Sequence, residues 1–128
     1  MYLLDTHALL WYLNDNKSLP QKTTKLINEA EDIFVSIASL WEIAIKQGLG
    51  KLDIDYSIKD IASLCNDKSI TVLGIHPEEL DVLKSLPNIH NDPFDRLIIA
   101  QSLVNDLILI TKDSKIQMYD CIKTIWLS

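Results

Sequence analysis

Four acidic residues in four separate segments have the types and settings to do chemistry together. Asp5 closes the apolar run in LLDTHALL, and Glu42 lies inside ASLWEIAIKQG. Asp95 follows DPF in HNDPFDRLIIAQSL, and Asp113 follows LITK. Carboxylates packed together repel, and they cannot all stay ionised unless something offsets their charge. A hard divalent cation with oxygen ligands, Mg²⁺ or Mn²⁺, does so. Such a site lowers the pKa of a bound water, orients it and steadies the leaving oxygen of an in-line displacement at phosphorus. The chemistry that the four acids suggest is metal-assisted hydrolysis of a phosphodiester.

Each acid also has an ordinary reading when taken alone. Asp92 can cap a helix by accepting from an N–H of its first turn, and Pro93 suits the first helical position. Asp95 then sits at the positive end of the helix dipole. Asp5 can be a turn or cap residue, although its apolar flanks make a solvated turn awkward. Asp113, in TKDSK, reads as a surface turn. Glu42 can pair with Lys46 on an exposed stripe shared with Ser39. Yet Leu40, Trp41, Ile43, Ala44 and Ile45 surround it, so the helix is expected to be largely buried, where a Glu needs a partner.

The elements decide whether the acids meet. Short apolar runs at 2–4, 33–36, 70–75 and 107–111 read as strands buried on both faces of a parallel sheet, and 123–127 as a fifth. Helical patterns fill 6–14, 20–30, 38–48, 57–67, 77–86 and 93–105, with a short one at about 114–120. Gly48 is placed as a C-terminal cap. Strands alternating with helices predict one α/β domain over 1–128, with a mainly parallel sheet and helices on both faces. Ligands in such sheets bind beyond the C-terminal strand ends. Asp5 and Asp113 follow strand ends there. The 93–105 helix runs straight into the strand at 107–111, which puts its start, and Asp95, at the same edge.

Composition narrows the classes. The 128 residues are 48% hydrophobic and 23% charged, ordinary for a globular domain of this size. A net charge of −6 argues against broad nucleic-acid binding through a basic surface, but not against an enzyme that works through bound cations. No apolar stretch is long enough to span a membrane. The start, MYLLDTHALLWYL, has no basic lead and is broken by Asp5 and His7, so it reads as folded structure rather than a signal peptide. Cys65 and Cys121 lack zinc spacing and read as buried free thiols, which suits a cytoplasmic protein. There is no Gly-rich phosphate loop. His7 and His90 read as structural or site-edge hydrogen-bonding residues.

The segments LLDTHALLWYL, VSIASLWEIAIKQGLGKL, HNDPFDRLIIAQ and LITKD, in this order, resemble the PIN domain. More narrowly, they resemble the VapC-like toxin ribonucleases of type II toxin–antitoxin systems, nearly end to end. The resemblance implies a three-layer α/β/α domain around a twisted parallel sheet. It implies a catalytic quartet of Asp5, Glu42, Asp95 and Asp113 that binds Mg²⁺ or Mn²⁺, with metal held by Asp5, Asp95 and Asp113. Glu42 would ligate the metal or orient the attacking water, and Asp92 would be the cap or an outer contributor. Thr6 and Thr111 would offer hydroxyls to a phosphate or a metal-bound water. Lys46, Lys51 and Arg96 would contact RNA or support the site, with an Arg96–Asp92 salt bridge as the structural alternative. The implied activity is a cytoplasmic endoribonuclease that leaves 5′-phosphate and 3′-hydroxyl ends. The implied partners are RNA, a small antitoxin protein and a second copy of the chain, the last through exposed apolar surface on the first helices. Two rivals share some of these features: a PIN-like nuclease of RNA maturation without an antitoxin, and a Mg²⁺-binding receiver-like module.

Overall fold

The five apolar runs become strands of one sheet: β1 (Tyr2–Leu4), β2 (Ile33–Ser36), β3 (Ile70–Leu73), β4 (Ile108–Ile110) and β5 (Lys123–Ile125). Every neighbouring pair is parallel, and the order is β3-β2-β1-β4-β5. The computed structural model describes residues 1–128. The helices between the strands are α1 (Thr6–Leu13), α2 (Gln21–Glu29), α3 (Ile37–Gly48), α4 (Ile58–Asp67), α5 (Pro77–Ser85) and α6 (Pro93–Val104).

The strand β1 is central, and alternation sends its residues to opposite layers. Leu4 joins a core with Leu9, Ile27, Val35, Ile43 and Ile61, drawn from β2 and from α1 to α4. Leu3 joins a second core with Ile98, Ile99, Leu109 and Ile116, on the side of α5 and α6. Both leucines are fully buried. This is the α/β/α sandwich expected. The chain builds outward from β1 to β3, then returns to lay β4 on the other side of β1. The switch point of the sheet therefore lies between β1 and β4, where open α/β sheets form their binding crevice. A receiver-like module has the order 2-1-3-4-5 instead, so the strand order does not fit that alternative.

Several local expectations are corrected. Gly48 is the last helical residue of α3, and Gly50 makes the turn at φ +68. The N–H of Lys51 donates to the Lys46 carbonyl and that of Gly50 to the Gln47 carbonyl, a Schellman closure that needs the left-handed residue two places later than expected. The helix expected at 114–120 shrinks to a 3-10 turn at Ile116–Met118. It stops because Tyr119 is extended and buried, with its hydroxyl donating to the Pro87 carbonyl. The helix α3 is not buried all round: Ile37, Trp41, Ile45 and Leu49, one turn apart, form an exposed apolar stripe. No large apolar residue of α1 or α2 is exposed, because their apolar positions face the core. The exposed apolar surface expected on the first helices thus lies on α3 instead. Cys65 is buried, but Cys121 is exposed in the turn before β5. No helix is long and apolar enough to cross a membrane.

Candidate active site

The sheet register brings the first two groups together. Leu4 aligns with Ile110, and the ladder continues one residue further, where the Asp5 N–H donates to the Ile110 carbonyl at 3.2 Å. Asp5 and Thr111 therefore stand side by side at the switch point, and the Thr111 hydroxyl donates to Asp5 Oδ2. Asp5 Oδ1 caps α1 by accepting from the Ala8 N–H at 2.8 Å. The Thr111 oxygen in turn accepts the Asp113 N–H at 3.0 Å, which fixes the backbone just beyond β4. Asp113 Oδ1 accepts from the N–H groups of Lys115 and Ile116. That leaves Oδ2 to face the site, where it meets His90.

The start of α6 supplies the next group. Asp92 is its N-cap, with Oδ1 accepting from the N–H groups of Phe94 and Asp95. Its carboxylate is committed to the helix, and it is Asp95, one turn in, that meets the other acids. Between them sits His90. Its Nε2 lies 3.1 Å from Asp113 Oδ2 and 3.2 Å from Asp95 Oδ2. Its Nδ1 accepts the Asp92 N–H at 3.1 Å. A nitrogen that accepts cannot carry the proton, so the ring hydrogen is on Nε2 and is shared by the two carboxylates.

Glu42 is buried at 6% exposure, on the inner face of α3. Its Oε2 pairs with Lys46 at 2.9 Å, one turn away. The pair foreseen on an exposed stripe has thus formed, but with the acid and Ser39 both buried. The reason is that Ser39 accepts the Thr6 hydroxyl at 2.9 Å across the packed α1–α3 contact. Thr6 is therefore spent as a donor between helices, while Thr111 faces the acids. Arg96 makes no salt bridge with Asp92. Its Nη1 donates to the carbonyls of Pro87 and His90, and its Nη2 to those of Leu83 and Leu86. It ties the end of α5 and the loop bearing His90 to α6. Lys51 is exposed at the end of α3 and enters no contact with the acids.

Electrostatics mark the cluster. Burial raises the Asp5 pKa, and the Asp113 charge adds to this, while the Thr111 hydroxyl, the Ala8 N–H and His7 oppose it. Asp95 is pushed up to about 7, first by burial and then by the charges of Asp92, Glu42 and Asp5, with His90 opposing. Asp113 goes the other way. Burial raises it, but the His90 hydrogen bond and the two N–H donors outweigh that and leave it lowered. The acids thus sense one another as a group, as acids at functional sites do.

The donor set fits a hard divalent cation. The groups that meet are the carboxylate oxygens of Asp95 and Asp113 and a ring nitrogen of His90, all within 4.8 Å of one another. Glu42 Oε1 is buried and has no hydrogen-bond partner. A buried orphan acceptor is costly, and a cation or a water held by one completes it. An adjoining cavity of about 270 Å³ is lined by Asp5, His7, Trp11, Lys112 and Asp113. Sequence patterns had no signal for the lining role of Trp11 and Lys112, and gave His90 only a place at the edge. The short spacing from His90 to Asp92 and Asp95 was the available clue.

Comparisons with known proteins identify the family and the fold. Residues 2–120 match the PIN domain family. The chain is similar to "Ribonuclease VapC22" of Mycobacterium tuberculosis, at 25% identity over 91% of this chain and 90% of the relative. In fold it is similar to a chain of the VapBC2 complex of Rickettsia felis bound to a promoter DNA fragment. That match has a TM-score of 0.73 and 14% identity, over 98% of each chain. It is also similar to a chain of DNA-bound VapBC from Salmonella typhimurium, with a TM-score of 0.69 and 15% identity over 97% and 96% of the two chains. With the family matched across nearly the whole sequence and the acids gathered at the switch point, the chain belongs to the PIN domain family.

Proposed function

We propose that the protein is a metal-dependent endoribonuclease of the VapC-like toxin class, acting in the cytoplasm and restrained by a protein antitoxin. The observation that carries this reading is the convergence of Asp5, Asp95 and Asp113 from three segments at the β1–β4 switch point, with the orphan oxygen of Glu42 on the neighbouring helix. The likeness to a ribonuclease and to toxin–antitoxin complexes supports it.

A bound Mg²⁺ or Mn²⁺ would supply an acidified water and charge neutralisation at the scissile phosphate. Asp5, Asp95 and Asp113 would hold it. Glu42 would accept from the attacking water, with Lys46 keeping its other oxygen in place. Thr111 and the N–H donors fix the directions of Asp5 and Asp113, and the α6 dipole favours the negative charge on Asp95. Water attacks phosphorus in line with the departing 3′-oxygen, so products carry 5′-phosphate and 3′-hydroxyl ends. A second copy of the chain would cover the α3 stripe of Ile37, Trp41, Ile45 and Leu49.

The test is incubation of total bacterial RNA with the purified protein and Mg²⁺ or Mn²⁺, beside Asp5→Asn and a chelator control. Discrete fragments lost in both controls support the reading. Uncut RNA, cutting by Asp5→Asn, or 2′,3′-cyclic phosphate ends would sink it.

A further inference from the structure

The cavity beside the acids has walls that metal binding does not use. Of its five lining residues, Asp5 and Asp113 belong to the acid cluster, while His7, Trp11 and Lys112 do not. His7 and Trp11 lie one turn apart on α1, with ring centroids 5.7 Å apart and tilted by 39°. Trp126 backs the indole edge-on at 6.1 Å. His7 and Lys112 are exposed, and Trp11 is half-buried. Trp11 also walls a second cavity of about 190 Å³ with Tyr12, Asn16 and Lys17.

We propose that Trp11 and His7 form a base-stacking subsite for the nucleotide next to the scissile phosphate of a single-stranded RNA, with Lys112 on its backbone. The inference rests on the ribonuclease reading and deepens it. The chain carries a net charge of −6. A polyanion is therefore not drawn in by a broad basic surface and must be held locally. Stacking does this without charge, because every base has a π-face, and unpaired bases in loops are splayed onto aromatic side chains. The braced indole is a rigid platform, and Lys112 adds one cation beside the acids. A paired base cannot reach the recess, so the subsite selects loops and single strands.

The test uses one single-stranded RNA oligonucleotide spanning a mapped cut, and the same strand with an abasic nucleotide beside the cut. Both are cleaved by the wild type, Trp11→Leu, Trp11→Phe and His7→Ala, with folding checked by circular dichroism. Loss of the base is expected to raise KM for the wild type by roughly tenfold with little change in kcat. Trp11→Leu should show the same rise on the intact RNA and no further rise on the abasic one, while Trp11→Phe stays near the wild type. His7→Ala, a surface change, should show a smaller rise that also vanishes on the abasic strand. If folded Trp11→Leu and His7→Ala cleave the intact RNA like the wild type, or if the abasic penalty persists in Trp11→Leu, the subsite is overturned and the ribonuclease stands. If they keep KM but lose affinity for the antitoxin, the shelf belongs to the protein partner and the RNA subsite is likewise overturned. If the wild type cuts no RNA, the ribonuclease reading falls and the subsite falls with it.

Discussion

Thr111 and Asp5 stand just past the ends of adjacent parallel strands, 106 residues apart in sequence, and are joined by a hydrogen bond from the hydroxyl to the buried carboxylate. Thr111→Val keeps the shape and removes that donor, and it also strips the acceptor from the Asp113 N–H. An unsatisfied buried polar group costs about 1–3 kcal/mol. Urea unfolding should read a loss of that size, and RNA cleavage should fall with it. Thr111→Ser should keep both. Equal stability and activity in the valine variant would show that the hydroxyl does not position Asp5.

His90 carries one hydrogen between two carboxylates, with its tautomer fixed by the Asp92 N–H. Groups that orient the holders of a metal typically contribute 10- to 100-fold in affinity or activity. His90→Ala should weaken Mn²⁺ binding by roughly that factor in calorimetry, and His90→Gln should recover part of it. Unchanged affinity in the alanine variant would reduce His90 to a loop contact.

The acids set a pH dependence whose sign follows from their shifts. Asp95 moves from 3.8 to about 7 on folding. Between those values the folded protein keeps a proton that the unfolded chain has released. Stability from Asp95 is therefore fully present below the lower value and is lost as pH rises through about 7. Asp5, also raised, acts in the same direction. Asp113 is lowered, so its contribution is present above 3.8 and is lost as pH falls through its folded value. The metal-free protein should lose stability as pH rises from about 4 to about 7, and Asp95→Asn should flatten that slope. Mn²⁺ affinity should climb across the upper half of this range, with proton release on binding. A slope of opposite sign in the wild type would contradict the raised Asp95.

Arg96 is a structural tie whose donors go to main-chain carbonyls and to the Tyr119 hydroxyl. A lysine cannot reproduce that fork. Arg96→Lys should cost at least about 2 kcal/mol in unfolding free energy, since hydrogen bonds from charged groups are worth about 1.5–3 kcal/mol each. Wild-type stability in this variant would mean that the loop holds itself in place.

Much of this architecture was legible in the residues, for physical reasons. A strand buried on both faces must be a short apolar run, as β1, β2 and β4 are, while the edge strands β3 and β5 are partly exposed. Pro77 and Pro93 mark helix starts because a missing N–H costs nothing there. Asp5 and Asp113 could be placed because they follow strands, and Asp95 because its helix runs straight into β4. What periodicity cannot show is the partner of each face. The outer side of α3 is as apolar as its inner side, yet Trp41 is 56% exposed and packs edge-on with Phe94. Spacing could not say which threonine hydroxyl turns to the acids, because Thr6 and Thr111 both follow strands. Asp15, Ser69 and Asp106 take left-handed backbone at or just after helix ends, where a search for glycine finds nothing. The salt bridge offered for Arg96 does not form because its partners are carbonyls, which carry no sequence signature.

The central position of β1 also bears on synthesis. Its β4 edge stays open until residues 108–110 arrive, and the acid cluster lacks Asp95 and Asp113 until the same late stretch has left the ribosome. A chain emerging from its N-terminus therefore carries Asp5 and Glu42 before the other two acids are there to join them. The centre proposed above thus assembles only when the segments bearing Asp95 and Asp113 join β1.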